Sequence, residues 1–102
     1  MNDIRVGTIV AAEPFPEARR LAYRLTIDFG ESLGLKRSSA QITELYPLET
    51  LPGTQVVAVM DLGTKRIANF TSEVLVLGVT DSEGRIVLLR PQYPIANGER
   101  VY

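Results

Sequence analysis

A chain of 102 residues, 45% hydrophobic and 23% charged, has the composition of one small globular domain. It contains no cysteine and no histidine, which excludes disulfides, thiolate nucleophiles, Cys/His zinc sites and a histidine general base. With a net charge of −1, any binding of phosphates has to rest on a local basic patch.

Ile4, Val6, Thr8 and Val10 alternate with Arg5, Gly7 and Ile9, and this period predicts a strand through about Ala12. Pro14 and Pro16 lack amide donors and end it. The charged stretch Glu17 to Arg20 then connects to the cleanest period-2 run in the chain, where Leu21, Tyr23, Leu25, Ile27 and Phe29 share one face. Gly30 and Gly34 bracket a turn, and Leu35 to Ile42 forms a third strand. Thr43 to Leu51 carries the one helical signal, a helix of one or two turns with Pro47 in its first turn and Pro52-Gly53 as its stop.

The run Val56 to Met60 places a buried strand within Gln55 to Leu62. Gly63 to Arg66 is expected as a loop, Ile67 to Phe70 as a short strand and Val74 to Val79 as another buried strand. Asp81 to Gly84 is a turn, and Arg85 to Arg90 pairs back across it. The tail Pro91 to Tyr102 is too apolar for a free end. Three strands, a short helix, then two more strands is the order of a five-stranded OB barrel; another small barrel or a sandwich is the alternative. Residues 1–102 then make a single domain with a C-terminal hairpin and tail. The longest apolar run is too short to span a bilayer, and no targeting peptide precedes Asp3, so the cytoplasm is the expected location.

The basic residues fall in pairs. Arg19 and Arg20 sit between the first two strands, Lys36 and Arg37 open the third, and Lys65 and Arg66 follow the fourth. In an OB barrel the first-to-second and fourth-to-fifth loops flank the ligand face, so the three pairs are expected to converge on one groove. Arg24, Asn69, Ser72, Tyr23 and Phe70 lie near the same face. The competing reading is that these charges are solvated and that Tyr23 and Phe70 are core. The carboxylates Asp28, Glu31, Glu44, Asp61 and Glu73 are scattered, with no acid/base dyad or metal loop among them, and the glycines form no phosphate-cradling loop. No catalytic residue, metal or cofactor is expected.

Asp3 to Val10 (DIRVGTIV) followed by Phe15 to Arg19 (FPEAR) resembles the opening of the tRNA-binding domain family. That family includes free-standing tRNA-binding proteins, the appendage of bacterial methionyl-tRNA synthetases and the endothelial monocyte-activating polypeptide. LTIDFG at Leu25 to Gly30, SSAQI at Ser38 to Ile42, QVVAVM at Gln55 to Met60 and SEVLVLGV at Ser72 to Val79 are similar to its CsaA secretion-chaperone branch. The resemblance covers essentially the whole chain. It implies an OB barrel acting as a homodimer that binds unfolded preproteins, cooperates with the preprotein translocase ATPase and has no enzymatic activity. The alternative is structure-dependent tRNA binding through Arg19, Arg20, Lys36, Arg37, Lys65, Arg66, Asn69 and Ser72. Apolar contacts for a polypeptide are expected at Phe15, Leu35, Ile42, Phe70 and Leu75, and the dimer contact at Tyr93, Pro94, Ile95, Val101 and Tyr102. In tRNA-binding relatives the segment at Ser72 usually reads Ser-x-Gly-Met. Here Val74 and Leu75 replace the Gly and Met, and the branched Val obstructs close backbone approach.

Overall fold

The computed structural model describes residues 2–102 and is all-β. Its centre is an antiparallel five-stranded sheet curled into a nearly closed barrel. The strands are β1 (Ile4–Pro14), β2 (Tyr23–Asp28), β3 (Leu35–Ala40), β4 (Gln55–Val59) and β7 (Leu75–Val76), in the order β3-β2-β1-β4-β7. Two hairpins decorate it: β5 (Lys65–Ile67) with β6 (Phe70–Ser72), and β8 (Gly78–Thr80) with β9 (Ile86–Leu88).

β1 serves two neighbours in succession. Ile4 to Thr8 pairs with β4, and Thr8 to Pro14 pairs with β2, with a register shift at Val10 within the β2 ladder. The extra residue bends the strand and lets one segment belong to both walls of the barrel. The core follows from the alternation: Ile9, Leu25, Ile27, Phe29, Val56 and Ala58 are all inward and at most 1% exposed. Gly7 is inward too, and its missing side chain is where Ile27 and Phe29 fit.

Several boundaries differ from the sequence expectation. β1 continues through Glu13 and Pro14, because Pro14 lies at the end of the ladder, opposite Tyr23, beyond the part of β1 that also pairs with β4. Leu21 precedes β2 and is 81% exposed. The expected helix contracts to one 3-10 turn, Leu48–Thr50, where the Thr50 amide and hydroxyl both donate to the Pro47 carbonyl, at 3.0 and 2.7 Å. Lys65 and Arg66 belong to a strand rather than a loop, and Ala68-Asn69 is the hairpin turn inside the expected Ile67–Phe70 strand. Val74 to Val79 is broken at Leu77, which donates to Val57 O and accepts from Leu89 N. The chain there passes from the barrel to the second hairpin, and Leu75 and Val79 are half exposed instead of buried.

The barrel closes between β3 and the β6–β7 connection. Glu73 N donates to Arg37 O at 2.8 Å, Arg37 N to the Glu73 carboxylate at 3.0 Å, and Ser39 N to Ser72 Oγ at 3.2 Å. The buried Ser38 hydroxyl donates to Val74 O at 3.0 Å. Tyr23 packs on the core and donates its hydroxyl to Tyr46 O, while the Tyr46 hydroxyl accepts from Leu88 N.

The tail packs on its own barrel through its backbone. Val6 N donates to Glu99 O, Gly98 N to Val6 O and Val101 N to Ile4 O, beside β1 where β2 has left it. Gly98 has φ +92° and presses against Phe29 O, a place that a Cβ would fill. The side chains of Tyr93, Ile95, Val101 and Tyr102 nonetheless stay 40% exposed or more.

The second hairpin turns on Asp81. Its Oδ1 accepts from Arg85 N and Glu83 N at 2.9 Å each, and its Oδ2 from Arg85 Nε at 2.8 Å. The Arg85 amide, foremost among these, holds the Asp81 carboxyl below the usual carboxylate range. A folded-state value below the unfolded one, about 3.9, means that the turn gains stability above about pH 4 and loses it as pH falls through the depressed value. An NMR titration is expected to place the Asp81 midpoint below that of a free Asp, with the Arg85 amide shift following it; a midpoint at or above the free value contradicts the assignment.

Candidate functional site

Phe15 and Phe70 organise one end of the barrel. Their rings meet at 5.3 Å with a 59° tilt, and with Ala22 they form a small core of their own, separate from the main one. Burying Phe15 fixes the start of the β1–β2 connection, and burying Phe70 seats the β5–β6 hairpin. Arg37 lies over the Phe70 ring at 4.4 Å and Arg24 over the Phe15 ring at 5.4 Å. Glu13 stands between the two guanidinium groups, at 4.0 Å from Arg24 and 3.8 Å from Arg37. Arg24 Nε is buried without a hydrogen-bond partner.

The connection and the hairpin face each other across a groove of about 560 Å³. Arg19 and Arg20 line it from one side and Lys65 and Arg66 from the other, with Ser39 and Gln41 of the β3 end between them. The hairpin holds its shape through Arg66 Nε, which donates to Ala68 O at 3.0 Å. Ala68 has φ +52°, the one non-glycine residue with positive φ among the described residues. An alanine there is strained by about 1 kcal/mol, so the tip is held by its surroundings rather than by preference.

The groove does not end at its cations. Ser39, Gln41, Lys65 and Ile67 also line a second opening of about 350 Å³, whose other wall is Leu62, Val74 and Leu75. Ser39, Gln41 and Leu75 continue into a third, about 380 Å³, bounded by Ile42, Val76 and Leu88. The result is one trough, basic at one end and apolar along the rest.

The structure brings four of the six paired cations to one groove. Lys36 and Arg37 separate because neighbours in a strand point to opposite faces; Lys36 is on the Ser38 side, and Arg37 lies on Phe70. Asn69 is exposed at the hairpin tip and is not part of the trough wall. Ser72 is 9% exposed, and its hydroxyl is engaged in closing the barrel. Phe15, Ile42 and Phe70 are 2–3% exposed, so they pack beneath the surface and offer no open apolar face; of the three only Ile42 borders an opening. Leu35, 60% exposed, lies at the far end of β3 opposite Asp28, away from the trough. Leu75 is 48% exposed and lines two of the openings.

Ser39, Gln41, Leu62 and Ile67 are among the wall residues that sequence reasoning missed. Ser39 and Gln41 were findable, since they alternate outward against Ser38, Ala40 and Ile42. Leu62 and Ile67 were not, because their roles depend on where the hairpin folds back. Among the described residues no group of three or more His, Cys, Asp or Glu is placed to hold a metal, and no helix is long and apolar enough to cross a membrane.

A family model for a tRNA binding domain matches residues 4–100, nearly the whole barrel with its tail. The chain belongs to that family. The crystal structure of the chaperone CsaA from Bacillus anthracis superposes with a TM-score of 0.92 at 51% identity, covering 99% of this chain and 91% of that one. The CsaA chaperone from Picrophilus torridus gives the same TM-score at 44% identity, covering 99% and 92%. This places the chain on the CsaA branch of the family. The methionine–tRNA ligase of Porphyromonas gingivalis is 33% identical over 99 residues, which are 97% of this chain and 14% of the ligase. The chain thus spans about a seventh of the curated relatives it matches.

Proposed function

We propose that this chain is a CsaA-type chaperone that holds unfolded preproteins in the trough, as a cytoplasmic homodimer that passes them to the preprotein translocase ATPase. The observation that carries the reading is the apolar strip from Ile67 and Leu62 to Leu75, open to solvent and lacking any group with chemistry to perform. Exposed apolar surface of this kind is uncommon without a partner. The near-full-length likeness to two CsaA chaperones supports the same conclusion. The outward side chains of Tyr93, Pro94, Ile95, Val101 and Tyr102 are the proposed dimer contact, since the tail backbone is already tied to its own barrel and leaves them free.

The test is light scattering from a chemically denatured client diluted into buffer. Wild type at molar excess is expected to suppress the scattering, and Leu62→Ser with Leu75→Ser to lose most of that effect while keeping its fold. Unchanged scattering with wild type rejects the reading. A second reading, tRNA binding, is favoured by the four cations of the basic end. It requires a gel shift that survives physiological salt and disappears on Lys65→Gln with Arg66→Gln.

A further inference from the structure

Most arginines of the molecule are neutralised on their own surface. Arg5 and Arg100 share Asp3, Arg85 reaches Asp81 and Glu83, and Arg24 and Arg37 share Glu13, all within 4.0 Å. Lys36 and Arg90 also stand outside these pairs, but singly, whereas the trough gathers four such cations. Arg19, Arg20, Lys65 and Arg66 have no carboxylate within that distance among the described residues. Glu17 is at the rim, so the wall carries four positive charges against one negative. These cations adjoin the apolar strip directly, through the shared residues Ser39, Gln41 and Ile67.

A ligand that fits must bring negative charge to one end and apolar side chains to the rest. Nucleic acid satisfies the first condition and fails the second, since a phosphodiester chain gains nothing along Leu62 and Leu75. The barrel face beside the trough is also closed to base stacking: guanidinium groups already cover the Phe15 and Phe70 rings, and the Glu13 carboxylate stands between them. An extended polypeptide satisfies both conditions, and the Gln41 amide and Ser39 hydroxyl offer hydrogen bonds to its backbone without reading its sequence.

Resting on the chaperone reading, we propose that the trough selects unfolded segments in which Asp or Glu residues adjoin an apolar run. The acidic residues seat among the four trough cations, and the apolar run lies along Leu62 and Leu75. Segments with basic flanks are disfavoured by the same charges.

The test is fluorescence anisotropy on the full chain with two labelled peptides that share one apolar run, flanked by Glu in one and by Lys in the other. The Glu-flanked peptide is expected to bind about tenfold tighter at low salt, because several exposed ion pairs each contribute modestly. The gap is expected to narrow as salt is raised, since exposed charges are screened. Lys65→Glu with Arg66→Glu is expected to reverse the preference. Arg19→Glu with Arg20→Glu, on the opposite wall, is a second variant with the same expectation, and circular dichroism checks that each folds. Equal binding of the two peptides by wild type, or a Glu preference that survives both double variants, overturns the inference. So does tRNA displacing the Glu-flanked peptide at physiological salt. If wild type still suppresses client aggregation in those cases, the chaperone reading stands and only the selectivity falls. If neither peptide binds and aggregation is not suppressed, both fall.

Discussion

Replacing Gly7 by alanine is expected to lower the melting temperature by about 5–15 °C, as read by circular dichroism. An added Cβ at Gly7 would stand 2.7 Å from Ile27 Cγ2 and from Phe29 Cδ1 and Cε1. Both neighbours are fully buried, at 0% and 1% exposure, so neither has solvent to move into. Overpacking of a closed core costs about 1–3 kcal/mol, and in a domain of this size each kcal/mol moves the midpoint by about 4–8 °C. Alanine also restricts the unfolded chain more than glycine does, which works the other way by about 0.5–1 kcal/mol. The contact distance decides the balance in favour of destabilisation. A midpoint within a few degrees of wild type would show that Ile27 and Phe29 repack freely.

Phe70→Ala is expected to cost about 3–4 kcal/mol in urea unfolding, near the usual range for truncating a buried aromatic. Phe70 is 2% exposed and is the central contact of the small core it forms with Phe15 and Ala22. The loss has a functional side, because β6 carries both Phe70 and Ser72, and the hairpin that β6 holds presents Lys65 and Arg66. The trough wall is therefore expected to loosen along with the fold. Leu62→Ser is the contrasting case. Leu62 is 56% exposed, so its replacement is expected to change stability by no more than about 0.5 kcal/mol while weakening client holding. Equal stability loss in the two variants would contradict the division between a buried core and an open wall.

The barrel was legible because its strands obey a simple period. Leu25, Ile27 and Phe29 alternate with Thr26 and Asp28, and the short turn between the third and fourth strands is marked by Pro47 and Pro52. What misled were local signals overruled by position in the sheet. Pro14 looked like a terminator, yet it needs no partner for a missing amide at the end of a ladder. The run from Val74 to Val79 looked like one strand, but Leu77 exchanges the neighbour β4 for β9 and divides it. The basic end was legible from the strand order, because Arg19 and Arg20 stand before β2 and Lys65 and Arg66 after β4, although the latter pair lies in a strand and not a loop. The small second core was not, since Phe15 and Phe70 stand far apart in the chain and only the folded hairpin brings their rings together. Lys36 carries a plainer lesson: neighbours in a barrel strand point to opposite faces, whereas Lys65 and Arg66, on the protruding β5–β6 hairpin, both reach the trough.

The junction between β3 and residues Ser72 to Val74 differs from the other walls of the barrel. Elsewhere strand meets strand through ladders of amides and carbonyls. At this junction, serine hydroxyls and one glutamate side chain supply much of the stitching. A seam of that kind can part without unravelling any strand, so it is the natural place for the barrel to breathe. Parting there would widen the trough from beneath, because Ser39, Val74 and Leu75 stand on its two lips. The same few hydroxyls that complete the roll would thus set how bulky a guest it admits.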